Sequence, residues 1–264
     1  MDIENNSFAH PDFYLLTAEE AGKDIKIEQV KEMAKQAAFA PVLSEHKVCI
    51  IDDAGQMTAE AANSLLKLLE EPPPGWLFIL ITQQAERLLP TVLSRVVRLR
   101  FDAPDSSAVQ QILKAKGITQ NTQVLAALAG GSPGRALSYN QADIFAIRRE
   151  ALDLLKKLPL QNPFGYIAAL GWGEKYDRAG ALLLTEQFIY LLRDVLLLQS
   201  GAGGQVYNTD IMAGLDGIAA DWPLHTARQG VNAAQEAWQN INKNVSAKNV
   251  LEALVLKLDL LRKE

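Results

Sequence analysis

The 264-residue chain contains one cysteine, three histidines and few aromatic side chains, 7% in all. The single Cys49 excludes a disulfide framework and a Cys-x-x-Cys metal knuckle within these residues, and it fits a reducing compartment. His46 and His225 have no cysteine or carboxylate at ligand spacing, so both read as surface or packing residues. Long apolar runs are missing too: the purely apolar stretches at 76–81 and 195–198 fall far short of the ~20 residues a membrane helix needs. Residues 1–6 hold acids and amides rather than a signal-type apolar segment, and a cytosolic location is expected. There is no basic excess, since the net charge is −5 and the isoelectric point near 5.4. That excludes a chain that grips nucleic acid over its whole surface and leaves any DNA contact to be shared with partners. The most consequential absence is the phosphate loop: no Gly-x-x-x-x-Gly-Lys-Ser/Thr occurs between Met1 and Glu264.

What is present is an ordinary globular composition, 48% hydrophobic and 22% charged, enough for two or three units with cores of their own. As far as Phe101, strand-type runs at 13–16, 48–51, 76–81 and 96–101 alternate with helical periodicity, the βαβ pattern of a parallel sheet. Beyond Pro104 the chain reads as helix, over 107–116, 122–129, 134–139, 142–157, 177–199, 207–219, 224–242 and 247–262. Boundaries at 102–105 and near Asn140 give an α/β domain over 1–103, a helical lid over 104–141 and a helical bundle over 142–264. Gly201 to Gly204 lacks a neighbouring Lys-Ser/Thr and is a loop rather than a phosphate cradle.

Chemistry concentrates between Lys47 and Phe101. Val48-Cys49-Ile50-Ile51 has the unbroken apolar character of a strand covered on both faces, and Asp52 and Asp53 follow at its carboxyl end, where open α/β sheets place ligands. Two roles fit them: holding a hydrated magnesium ion, or solvating and capping the strand end. Thr58 is placed to cap a helix whose Ala62, Leu65, Leu66 and Leu69 form one face and whose Lys67, Glu70 and Glu71 face solvent before Pro72-Pro73-Pro74 stops it. The next strand ends in Thr82-Gln83, a place for a phosphate-sensing side chain or for a simple turn. Pro90 then opens a short turn leading to Arg95, whose planar guanidinium suits either a surface ion pair or an arginine finger reaching a phosphate across a subunit boundary. In 177–199, Leu183, Phe188, Leu191, Leu192, Val195 and Leu198 form a broad apolar surface, read equally as internal core or as a collar between subunits.

Ile50-Ile51-Asp52-Asp53-Ala54, the run from Ala61 to Pro73 and Leu88-Leu89-Pro90-Thr91-Val92-Leu93-Ser94-Arg95 together resemble the clamp-loader branch of AAA+ proteins, and within it the delta-prime subunits of bacterial DNA polymerase III. His10-Pro11-Asp12 and Gly130-Gly131-Ser132-Pro133-Gly134-Arg135-Ala136-Leu137 add to the resemblance, which covers roughly residues 7–137. It implies a partial AAA+ parallel sheet without the phosphate-loop strand, followed by an all-α lid and an all-α bundle. The family's first strand, phosphate loop and four-cysteine zinc module precede the segment resembling His10, so the resemblance implies an N-terminally truncated chain with a strand missing from mid-sheet and unpaired strand edges. It departs from the family at Val96, where a cysteine is usual, and at Gln83-Gln84, where Ser-Asn is usual.

The function implied is that of a non-motor subunit of the clamp loader of the DNA polymerase III holoenzyme, a nucleotidyltransferase. In that role it helps load a sliding clamp on primer-template DNA with ATPase subunits and the delta subunit as partners, and with no membrane. Arg95 would be the finger in trans; Asp52, Asp53, Gln83 and Arg135 would be vestiges, with no cofactor in this chain, ATP and magnesium on its neighbours and the zinc module missing. A lid salt bridge is the implied role of Arg135. The alternatives are another clamp-loader or AAA+ adaptor subunit, or a stand-alone metal-dependent nucleotide hydrolase working through Asp52 and Asp53.

Overall fold

The computed structural model describes residues 10–19 and 23–263. The reading of residues 1–6 lies outside them. The chain divides into two compact units, Met1–Phe101 and Asp102–Glu264.

The first unit is built on three parallel strands, β1 (Phe13–Leu16), β2 (Lys47–Ile51) and β3 (Trp76–Leu80), in the order β1-β2-β3. Helix α1 (Ile27–Ala37) connects the first pair and α2 (Ala59–Glu70) the second; a short α3 (Pro90–Leu93) follows β3. Each helix has a local cause. Gln29 Oε1 accepts from the backbone of Lys26 at 3.0 Å to start α1, which buries Val30, Met33 and Ala37. Thr58 accepts from the Ala61 amide at 3.2 Å to start α2, and Pro72 to Pro74 end it. Its buried face is Ala61, Ala62 and Leu65 with Leu68 and Leu69 alongside, one step round from the expected stripe through Leu66.

Residues 96–101, expected as a fourth strand, are not one. They have no strand neighbour among the described residues, and Val97, Leu99 and Phe101 remain 88%, 77% and 90% exposed. A strand is held by its ladder, so an alternating apolar pattern without a partner stays irregular.

The second unit is helical: α4 (Ser106–Ala115), α5 (Thr122–Leu128), α6 (Pro133–Gln141), α7 (Ile144–Lys157), α8 (Pro163–Leu170), α9 (Trp172–Lys175), α10 (Arg178–Gln199), α11 (Met212–Asp221), α12 (Leu224–Asn242) and α13 (Ala247–Leu261). The short helices α8 and α9, absent from the sequence reading, are set by Pro163 at a first-turn position and a left-handed Gly171 between them. Buried side chains from α4 to α13 form one continuous cluster with α10 at its centre. Phe188, Leu191, Leu192 and Val195 of α10 are fully buried there, which assigns that apolar surface to the unit's own core. Among the described residues, no helix is long and apolar enough to cross a membrane.

Candidate functional site

The acidic tip of β2 is formed as the sequence places it. The Asp52 amide donates to Leu16 O at 2.9 Å, and Asp53 takes a left-handed conformation, φ 49°, with its amide on Asp52 Oδ1 at 3.1 Å. An Asp tolerates that conformation through such local bonding. The Ala54 amide reaches Ile81 O at 2.8 Å, so this turn lies against the end of β3. There, Thr82 Oγ1 bonds both the amide and the carbonyl of Gln84 at 3.2 Å, while Gln83 points to solvent. Thr82 therefore closes a turn. Asp52 and Asp53 are exposed, and among the described residues no group of three His, Cys, Asp or Glu is gathered to hold a metal.

Arg95 sits elsewhere, on the turn that leaves α3. Pro90 fixes the start of that helix, the Arg95 amide closes its end on Val92 O at 3.0 Å, and the side chain folds back along it. Nη1 donates to Thr91 O at 2.8 Å and Ser94 Oγ at 3.1 Å, and Nε to Glu70 Oε1 at 2.6 Å; Nη2 completes an ion pair with the same carboxylate. Glu70, the last residue of α2, thus holds the guanidinium. The pair is open to water, with the two side chains 32% and 48% exposed. An ion pair of this kind contributes about 0.2–1 kcal/mol, so the arginine is parked rather than fixed.

Arg135 belongs to the second unit. Ser132 caps α6, and the Arg135 side chain donates from Nε to Tyr139 Oη at 2.7 Å and from Nη2 to Tyr190 Oη at 3.1 Å while pairing with Glu186. Tyr139 donates to the other Glu186 oxygen at 2.5 Å. Burial works most strongly against the arginine's charge, but Glu186, Tyr139 and Tyr190 together outweigh it and raise the pKa; burial and the bond to Glu186 push Tyr139 up as well. Arg135 ties α6 to α10.

Two carboxylates to which the sequence reading gave no role are structural anchors. Asp12 is buried and accepts from the amides of Val42, Leu43 and Ser44, each at 2.7 Å. Burial would raise its pKa, but the three amides outweigh it and hold the carboxyl below its ordinary range. Asp194, fully buried in α10, accepts from the amides of Tyr207 and Asn208 and from Asn208 Nδ2 at 2.7 Å, which pins the chain after the glycine loop. Asp12 entered the sequence reading only as part of His10-Pro11-Asp12, without a role, and Asp194 carries no signal beyond an Asp among apolar residues. Cys49 lies buried against Met33, its thiol pushed up to about 12 by burial, and is inert.

Comparison with known proteins places this geometry. A family described as "DNA polymerase III, delta subunit" matches residues 3–105. The DNA polymerase III subunit delta' of Bacillus subtilis (strain 168) is 28% identical over 252 residues, covering 94% of this chain and 76% of the relative. Its counterpart in Escherichia coli (strain K12) is 32% identical over 228 residues, 85% of this chain and 65% of the relative. The DNA polymerase III subunit gamma/tau of Mycobacterium tuberculosis (strain ATCC 25618 / H37Rv) is 30% identical over 203 residues, 66% of this chain but only 34% of the relative. The chain thus spans between about a third and three quarters of these relatives, and over most of its own length it is similar to DNA polymerase III delta-prime subunits.

Proposed function

We propose that this chain is a non-motor subunit of the bacterial replicative clamp loader, helping to place the sliding clamp on primed DNA and lending Arg95 in trans to the triphosphate of a neighbouring ATPase subunit. Its partners are the ATPase subunits and the delta subunit, and through the assembly the clamp and primer-template DNA. Similarity to DNA polymerase III delta-prime subunits supports the assembly role, and the parked Arg95 supports the chemical one. A guanidinium at the end of a short helix, held by one solvent-exposed carboxylate and by the neighbouring Thr91 carbonyl and Ser94 hydroxyl, can swing to an external phosphate by exchanging water-accessible contacts. There it would stabilise charge on the transferring γ-phosphoryl group without this chain binding nucleotide itself. Asp52 and Asp53 take no part in that step.

The test is Arg95→Ala in a loader reconstituted with its ATPase and delta subunits, read as clamp- and primed-DNA-stimulated ATP hydrolysis. At least a tenfold fall in turnover with unchanged assembly is expected, and unchanged turnover removes the finger. A second reading, a subunit of the gamma/tau kind, rests on the 30% identity to that relative. Stoichiometric ATP binding by the isolated chain would favour it, and would equally revive a stand-alone hydrolase.

A further inference from the structure

The first unit ends in a stretch of bare backbone. From Val97 to Asp105 the chain belongs to no helix or strand, and every residue of that run is exposed. Among the described residues, the amides of Val96, Val97, Arg98 and Leu99 donate to no backbone carbonyl. An endoprotease takes its substrate as an extended strand through main-chain hydrogen bonds, so most folded segments must first leave their own ladder or helix before they can be cut. Residues 96–99 have no ladder to leave. Other exposed basic residues do have such bonds: the amides of Arg87, Lys116 and Lys243 donate to Gln84 O, Ile112 O and Gln239 O.

Fixed points bracket the segment. On one side the Arg95 amide closes α3 on Val92 O and its side chain is held by Glu70. On the other, Gly131 takes a left-handed φ of 84° so close to the chain that a Cβ there would meet Ala103 Cβ and Pro104 O at 2.7 Å, and Asp105 caps α4. We propose that the peptide bond between Arg98 and Leu99 is the chain's processing site for an endoprotease of the trypsin class, whose acidic specificity pocket takes the Arg98 guanidinium. Hydrolysis breaks the C–N bond of that peptide: the oxygen of one water goes to the Arg98 carbonyl carbon, which leaves as a carboxylate, and a proton goes to the Leu99 nitrogen, which leaves as a new amino terminus. Arg95 stays with the sheet. The helical core is built from α4 to α13, all on the other fragment, and outlasts the cut. The inference stands on exposure and main-chain bonding alone, so its failure leaves the proposed role untouched.

Limited digestion of the full chain with trypsin, followed by mass spectrometry, N-terminal sequencing and far-UV circular dichroism, reads it directly. The first pair of products should together account for 28.9 kDa and one water, with Leu99-Arg100-Phe101 as the new amino terminus. The fragment that begins at Leu99 should persist, and the helical signal should survive the first cut. Arg98→Lys, which still fills the acidic pocket, should be cut at the same bond. Arg98→Gln combined with Arg100→Gln removes both basic residues of 96–101 and should slow the loss of intact chain roughly tenfold or more. If that variant fails to fold, the first amino terminus released from the unaltered chain decides alone. A first new terminus other than Leu99 overturns the inference, as does an unchanged rate in the double variant or a helical signal that collapses with the first cut.

Discussion

The two units of this chain meet the same requirement with unequal success. In the helical unit, α10 is enclosed by its neighbours, and side chains from α4 through α13 join a single core. In the α/β unit, the helices cover one face of the sheet, while Leu77, Ile79 and Ile81 on the other face and Val97, Leu99 and Phe101 beyond it stay exposed. Both are equally apolar in sequence. What differs is the partner each element needs: a helix satisfies its backbone alone and asks only for a groove, whereas a parallel strand needs neighbours on both edges and cover on both faces. Stability should therefore reside in the helices, and sensitivity to partners in the sheet.

The largest expected effect breaks the comparison on its strong side. Phe188→Ala removes a fully buried ring from the middle of α10 and should cost about 3–5 kcal/mol, a large share of the stability of a single domain. Leu77→Ala, on the bare face, should cost about 1 kcal/mol or less, since half of that side chain is already in water. Thermal melting followed at 222 nm should show the first variant losing its helical transition and the second barely moving. Equal losses would mean that the two units share one cooperative core.

Much of this contrast can be read from residue order, and the rest has a physical reason for being hidden. The strands at 13–16, 48–51 and 76–80 announce themselves by unbroken apolar runs, α2 by a capping Thr58 and α10 by a long apolar stretch. The acidic tip and Arg95 stand at the ends of elements where the sequence puts them. Long-range pairing is what stays invisible: Val97, Leu99 and Phe101 alternate like a strand but have no strand neighbour among the described residues, a property of the whole sheet rather than of six residues. Similarly, nothing local tells that Asp12 will catch three amides some thirty residues on, that Asp194 will anchor Asn208, or that Arg95 will rest on Glu70.

A middle-sized effect should follow pH in the α/β unit. Asp12 has its carboxyl held below the ordinary range in the folded state, so it stabilises the fold above the unfolded carboxylate pKa, and that contribution is lost as pH falls through the folded value. Trp76 reports on it, because its indole donates to Phe39 O at 3.3 Å just before the loop that Asp12 holds, and it is the one tryptophan among residues 1–101. In a chain whose other three tryptophans are replaced by phenylalanine, Trp76 fluorescence should shift on acidification before helical signal is lost. Asp12→Asn should weaken the loop at neutral pH and flatten this acid transition. A transition unaffected by Asp12→Asn would assign the acid sensitivity to other carboxylates.

The smallest effect is the most informative about the proposed role. Glu70→Gln keeps the length of the side chain, removes its charge and loosens the hold on Arg95; the exposed pair predicts a stability change of less than about 1 kcal/mol. If Glu70 only parks the arginine, a loader carrying Glu70→Gln should hydrolyse ATP at least as fast as the unaltered complex, with its residual turnover still abolished by adding Arg95→Ala. If Glu70 instead aims Arg95 at the neighbouring triphosphate, the two single variants should fall together and the double variant no further. The comparison of the three turnover numbers separates a resting contact from a positioning one, and does so at a site where stability alone would show almost nothing.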